Sequence, residues 1–223
     1  MKAFGTRAAR GLPRLLATGL VSVALCACSV LRPTATPQPV FYTLDGAPAA
    51  ASSTLAPASL APATAPTLIV NPPRAAAGFD SQRIIYVREP HKLEYFAHSE
   101  WVDPPARMLA PLLVAAIQAG GAFRAVVLTA GAAAGELRLD TEIIRLQQDF
   151  QPQPSRVRFT LRATLVDDKT RRVLGWREFE GDVAAPSEDP YGGVLAANAA
   201  VQSVLQELAR FCADAARNMP PAR

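Results

Sequence analysis

Between Glu136 and Val183 apolar and polar side chains alternate with a period of two. Leu137, Leu139 and Ile143 alternate with Glu136, Arg138, Asp140 and Glu142 over the run 136–146. Val157, Phe159, Leu161, Ala163 and Leu165 alternate with Arg156, Arg158, Thr160, Arg162 and Thr164. Successive side chains of a strand point to opposite faces, so this pattern predicts a sheet with one buried and one wet face. Asp167-Asp168-Lys169 predicts a hairpin turn into a return strand over 172–183. Parity in that strand slips between Leu174/Trp176 and Phe179/Val183, which predicts a bulge near Gly175. Shorter β-type runs occupy 40–44, 67–71, 83–88, 92–96 and 123–128.

Two segments change to helical spacing. Asp103-Pro104-Pro105 predicts a helix start, with Asp103 as cap and proline in the first turn. Met108, Leu109, Leu112, Leu113, Ala116 and Ile117 then form one apolar stripe, which Gly120-Gly121 ends. Asp189-Pro190 opens a longer helix with the stripe Leu195, Val201, Val204, Leu205, Leu208, Phe211 and Cys212. Each helix and the meander has one apolar side to cover. The economical packing is an α+β, two-layer sandwich: a mostly antiparallel sheet with two helices on one face.

The N-terminus follows another pattern. Lys2, Arg7, Arg10 and Arg14 precede the uncharged run Leu15 to Ala27. A basic stretch followed by a short apolar one predicts a secretory signal, because a bilayer span takes about 20 apolar residues. The run ends in Leu25-Cys26-Ala27-Cys28, which resembles the lipobox of bacterial lipoprotein precursors. That resemblance implies cleavage before Cys28 and acylation of its sulfur and freed amine. Several acyl chains would give a stable anchor where one would not. Ser29, rather than Asp, implies the outer membrane in Gram-negative lipoproteins. The expected organisation is a signal over 1–27, then a lipidated N-terminus with a short strand and an Ala/Pro-rich flexible segment over 28–66. One domain follows over 67–217, with a tail over 218–223.

Processing changes the charge. The first 27 residues carry four basic side chains and no acid, so the mature chain holds 19 basic and 19 acidic residues. A neutral chain without a basic stripe argues against nucleic acid as a partner. Of three cysteines, Cys26 leaves with the signal and Cys28 takes lipid. Cys212 then has no partner for an intrachain disulfide and falls on an apolar helical stripe, so it is expected in the core.

Motifs for catalysis are missing from the sequence. There is no Gly-x-Ser-x-Gly elbow, and Gly120-Gly121 and Gly192-Gly193 lack the lysine and spacing of a phosphate loop. His91 and His98 have no cluster of metal-type neighbours, so no metal and no cofactor are expected. Glu136, Asp140 and Glu142 with Arg138 and Arg145 read as a solvated strand face laced with ion pairs. No catalytic residues are expected, and the chain is not expected to be an enzyme.

The sequence resembles the ABC-type transport auxiliary lipoproteins, the family that includes the Pqi-type lipoproteins of MCE lipid-transport systems. The likeness runs through Phe41-Tyr42-Thr43-Leu44, Arg83-Ile84-Ile85-Tyr86 and Leu93 to Trp101, with Pro104 ahead of Met108-Leu109. It continues in Val173-Leu174, Arg177-Glu178-Phe179 and Ala197-Asn198-Ala199. It implies a non-catalytic docking component that works with an MCE-family substrate-binding protein and ABC transporter subunits in lipid (phospholipid) transport between membranes. It also implies a lipid anchor at Cys28 in the outer membrane, facing the periplasm. The alternative is an outer-membrane assembly or cell-wall lipoprotein that binds another envelope complex. A homo-oligomer is left open. Tyr95, Phe96 and Trp101 form the candidate partner-binding stretch, since interfaces favour aromatics. The competing expectation is that Tyr95 and Trp101 pack beneath the first helix.

Overall fold

The computed structural model describes residues 38–45, 62, 64–129 and 134–218. The expected signal segment 1–27, the expected lipid-bearing Cys28, nearly all of the Ala/Pro-rich segment and most of the expected tail lie outside the described residues. The elements are β1 (Val40–Tyr42), β2 (Thr67–Val70), β3 (Arg74–Ala75), β4 (Arg83–Val87), β5 (Glu94–Trp101), α1 (Pro105–Ala119), β6 (Ala125–Leu128), β7 (Leu137–Asp149), β8 (Arg156–Asp167), β9 (Val173–Ala184) and α2 (Pro190–Arg217). All strands belong to one mixed sheet.

The alternating run becomes the meander β7–β8–β9. Its ladders are antiparallel from Leu137↔Asp167 to Asp149↔Arg156 and from Arg156↔Ala184 to Val166↔Val173. The expected bulge falls beside Gly175: Leu165 faces Gly175 but Val166 faces Val173, so Leu174 is the extra residue. A second bulge was not anticipated. Ile143 pairs Leu161 and Arg145 pairs Thr160, which makes Ile144 an extra residue on β7. That one-residue excess resets the parity. Leu137, Leu139 and Ile143 face the core before it, and Leu146 and Gln148 after it.

The other edge of β7 takes three short parallel strands in succession. β2 pairs with Leu137 to Leu139, β3 with Glu142 and Ile143, and β4 with Gln148 and Asp149. Pro72-Pro73 separates β2 from β3, because proline has no N–H to give a ladder. β6 extends the sheet beyond β2, and β5 then β1 extend it beyond β4. The long ladders are thus antiparallel and the short ones mostly parallel. Strand β5 starts two residues later than the expected 92–96 run and continues to Trp101.

Both helices cover one face, as the two-layer sandwich requires. Leu109, Leu113 and Ile117 of α1 and Val201, Val204 and Leu208 of α2 share one cluster with Leu139, Ile143, Phe159 and Leu161. Helix α2 lies so near the sheet that a Cβ on Gly181 would sit 2.9 Å from the Ala200 backbone oxygen. Asp189 caps α2 as expected, accepting the Gly192 N–H at 2.7 Å. The expected Asp103 cap is corrected: Pro104 occupies the cap position of α1 without a side-chain bond. Asp103 instead accepts from Arg107 Nη1 at 3.2 Å. The strand-like backbone of Pro104 (φ −50°, ψ 135°) pushes the helix start one residue past the carboxylate.

The residues after β1 run between the two helices. Leu44 is buried, and its N–H points to the Met108 sulfur at 3.4 Å. Asn198 of α2 donates to the Thr43 carbonyl at 3.2 Å and accepts from the Asp45 N–H at 2.8 Å. Asn198→Leu is expected to lower stability by about 1–3 kcal/mol, the cost of removing hydrogen-bond partners from a buried polar site. It should also speed chymotryptic cutting at Phe41 and Tyr42. Urea unfolding and a proteolysis time course would measure both, and an unchanged cutting rate would show that Asn198 does not hold the arm.

Candidate functional site

The aromatic stretch of β5 divides between the two expectations. Trp101 is only 3% exposed and belongs to the core, whereas Tyr95 is 52% exposed. The six-residue spacing would place both on one face of a regular strand. The β4–β5 register prevents this: Arg83 pairs Glu100 while Ile85 pairs Tyr95, so three more residues are used on β5 than on β4. An odd excess reverses the inward and outward positions. Trp101 is therefore corrected to a core position, as a partner cannot reach it. Phe96 takes the other side of the strand from Tyr95 and is half-buried, with its ring 4.6 Å from Tyr86 and 6.3 Å from Phe150.

The exposed part has its own chemistry. The Arg83 guanidinium lies 4.1 Å from the centre of the Tyr95 ring, a cation–π contact that holds the ring flat. Exposed Leu93 lies beside it, and Gly78, Asp80 and Ile85 complete a shallow depression of about 450 Å³. Arg88 covers the neighbouring cluster, 4.9 Å from the Tyr86 ring centre. The surface thus offers apolar rings with basic groups laid over them.

The carboxylates of the outer face are engaged with neighbours. Glu136 accepts the Thr67 N–H at 2.7 Å, Asp140 accepts Asn71 Nδ2 at 2.7 Å, and Glu142 meets Arg162 at 3.2 Å. Arg162 also reaches Glu178 at 2.7 Å. Arg138 makes a two-pronged pair with Asp168, at 2.8 and 3.2 Å, and donates to Asn71 at 3.0 Å. These contacts make a strand face laced with ion pairs and hydrogen bonds. Cys212 is buried, and burial pushes its thiol up to about 12, far from the thiolate that nucleophilic chemistry needs. Gly193 belongs to the start of α2, where a Cβ would meet Gln148 Oε1 at 2.3 Å. Its smallness serves packing. Among the described residues, no group of three His, Cys, Asp or Glu is placed to hold a metal ion. Among them too, no helix is long and apolar enough to cross a membrane.

Among the described residues, Asp167, Asp168 and Asp189 are held below the usual carboxylate range. The Arg138 hydrogen bond lowers Asp168, backbone N–H of Thr170 lowers Asp167, and that of Gly192 lowers Asp189. A folded-state value below the unfolded one means stability that is fully present above the unfolded value, near 4. It is lost as pH falls through the folded values. The domain is therefore expected to hold constant urea stability from neutral pH down to about pH 5 and to lose it progressively below about pH 4. Asp168→Asn should flatten part of that acid limb while lowering the neutral plateau. An acid limb identical to that of the unmodified chain would refute the role of the Arg138 pair.

Features that the sequence did not disclose are the Asn198 clamp and two depressions. One, of about 780 Å³, runs between α1 and α2, floored by Leu112, Ala116, Leu205 and Ala209. The other, of about 540 Å³, lies between β1, the end of β9 and the first turns of α2, beside exposed Phe41 and Tyr191. Trp176 pairs with Thr164 in unbroken register with inward-facing Phe179, so it points outward and is 66% exposed. Its odd separation from Phe179 sets it on the face away from the core.

The described residues form an α+β sheet-and-helix domain whose outer strand face is laced with ion pairs and whose surface exposes aromatic rings. The family model described as ABC-type transport auxiliary lipoprotein component matches residues 42–209, and the chain belongs to that family. Among solved structures, a Xanthomonas campestris protein of the DUF330 family is similar, with 23% identity and a TM-score of 0.64. The match covers 83% of this chain and 94% of that one. An uncharacterized protein with 12% identity has a TM-score of 0.60 over 78% of this chain and 99% of its own. At these identities the likeness is one of fold. No curated protein matches the chain.

Proposed function

We propose that this chain is a non-catalytic docking lipoprotein of an MCE-type lipid-transport system, anchored through lipid on Cys28 at the periplasmic face of the outer membrane. The family match over 42–209 is the observation that carries this reading. The Tyr95 surface supports it, because a fixed ring with Arg83 stacked on it and Leu93 beside it suits a protein partner. Phe96 backs that surface from within the strand. An MCE-family protein and its ABC transporter subunits are the partners, and the transported lipid touches them rather than this domain.

The test is affinity purification of the full-length tagged lipoprotein from detergent-solubilised membranes, with mass spectrometry of the associated proteins. The expected result is an MCE protein with an ABC permease or ATPase, absent with the Cys28→Ala variant and reduced by Tyr95→Ala with Leu93→Ser. Recovery of a different envelope complex would overturn the transport role and favour an assembly or cell-wall lipoprotein. Equal recovery with the Tyr95 and Leu93 variant would overturn this surface as the docking site.

A further inference from the structure

We infer that Val40, Phe41 and Tyr191 form an interfacial patch that seats this end of the domain on a zwitterionic lipid surface, an inference that rests on the lipid anchor proposed above for Cys28. The three side chains are 51%, 56% and 56% exposed. Phe41 and Tyr191 line one depression together with Val183, Pro186 and Leu195, and the Tyr42 ring lies 6.3 Å from that of Tyr191. Val40 precedes Phe41 at the start of the edge strand β1. Apolar side chains scattered singly over a surface call for no account, but rings grouped beside an apolar depression do.

What covers this group follows from where the described chain begins. Gln38 is the first described residue, two before Val40 and ten after Cys28. Ten residues reach at most roughly 33–36 Å in any conformation. An acylated Cys28 in the bilayer therefore keeps β1 within that distance of the membrane surface. Exposed Val173 is not held in this way. It lies at the opposite end of β9 from Ala184, which lines the depression, and the two are roughly 37 Å apart at 3.4 Å per residue.

The side chains suit a bilayer surface. Tyrosine carries an apolar body with a polar tip and settles at headgroup level, and phenylalanine and valine add apolar area beneath it. Charge selects the lipid. Asp182, Glu188 and Asp189 surround this end and are held by the protein: Asp182 pairs with Arg156 at 2.6 Å, Glu188 accepts the Ser155 N–H at 2.8 Å, and Asp189 accepts the Gly192 N–H at 2.7 Å. None of the described residues lining the depression is basic. A zwitterionic surface entered by its rings suits such an end, and an anionic one does not. Anchoring makes the contact intramolecular, so a patch too small to hold a free protein at a membrane is sufficient. The domain then stands on the bilayer in a set orientation instead of swinging from its tether.

The test uses the full-length lipoprotein in phosphatidylcholine–phosphatidylethanolamine vesicles, with an environment-sensitive maleimide dye on Pro186→Cys or on Val173→Cys. Cys212 is buried and takes no dye in the folded chain. Flotation with the vesicles and the acyl mass on Cys28 read the anchor, and dye emission reads the patch. Both labelled chains should float. Emission at position 186 should shift to the blue and fall about twofold with brominated acyl chains, as for a group roughly 5–10 Å into the interface, while position 173 stays unchanged. Phe41→Ser with Tyr191→Ser should abolish that quenching and leave flotation intact. Flotation without quenching at position 186, or with equal quenching at position 173, would overturn the inference and leave the anchor standing. Quenching that appears only with phosphatidylglycerol would overturn the zwitterionic surface. A blue shift that grows with protein density and ignores bromine would overturn the inference and name a second copy as the occupant. Failure to float, with no acyl mass on Cys28, would overturn the anchor itself and this inference with it.

Discussion

Trp101→Ala is expected to destabilise the domain by about 3–5 kcal/mol, the range for truncating a large buried aromatic. Trp101 sits among Ile84, Leu146, Val157 and Ala197, where sheet and α2 meet. Removal of the indole leaves a void between them that side chains held by two bulged strands cannot easily fill. The midpoint of thermal unfolding should fall by roughly 6–20 °C for a domain of this size. Tyr95→Ala, six residues away, should change stability by less than about 1 kcal/mol, since it loses an exposed cation–π contact and little burial. Its effect belongs on partner recovery. Two equal melting shifts would refute the reversed parity of β5.

Gly181→Val is expected to cost about 3 kcal/mol, at the upper end for overpacking. The atom that an added Cβ would strike is the backbone oxygen of Ala200, not the flexible tip of a side chain. Relief requires α2 to lift from β9. Helix α2 also carries Asn198, so the lift should loosen the N-terminal arm and raise its proteolysis together with the loss of urea stability. Gly181→Ala should show the same effects at smaller size. A wild-type unfolding curve for the valine variant would mean that α2 stands further from the sheet.

The meander, both helices and the α+β class are readable in the chain, because a long one-sided strand or helix repeats its pattern several times. The bulge at Leu174 is readable too, since its parity slip lies within a continuous alternation. Ile144 escapes because Ile143-Ile144 offers two equivalent apolar residues, and either could face inward. The β5 bulge escapes for a different reason: Phe96-Ala97-His98-Ser99 has no alternation to break. Trp101 and Tyr95 therefore cannot be sorted without the partner strand. The parallel pairings of β2, β3 and β4 are set by which distant strand they meet, and short apolar runs do not encode that. Asn198 did not stand out, because one polar residue on a helix acquires its role only from the backbone of Thr43 and Asp45.

The shared edge of β7 has a consequence for the order of folding. The meander closes through hairpins, while β2 is joined to β7 across a long stretch of chain: the Thr67 N–H and Glu136 are 69 residues apart. Loop-closure entropy must be met before such a contact stabilises anything, so local pairings form first. Pulse-labelled amide exchange should find β7, β8 and β9 protected before β2 and β4. During that interval one edge of β7 is an open template, and the N-terminal half of the protein is captured onto it strand by strand.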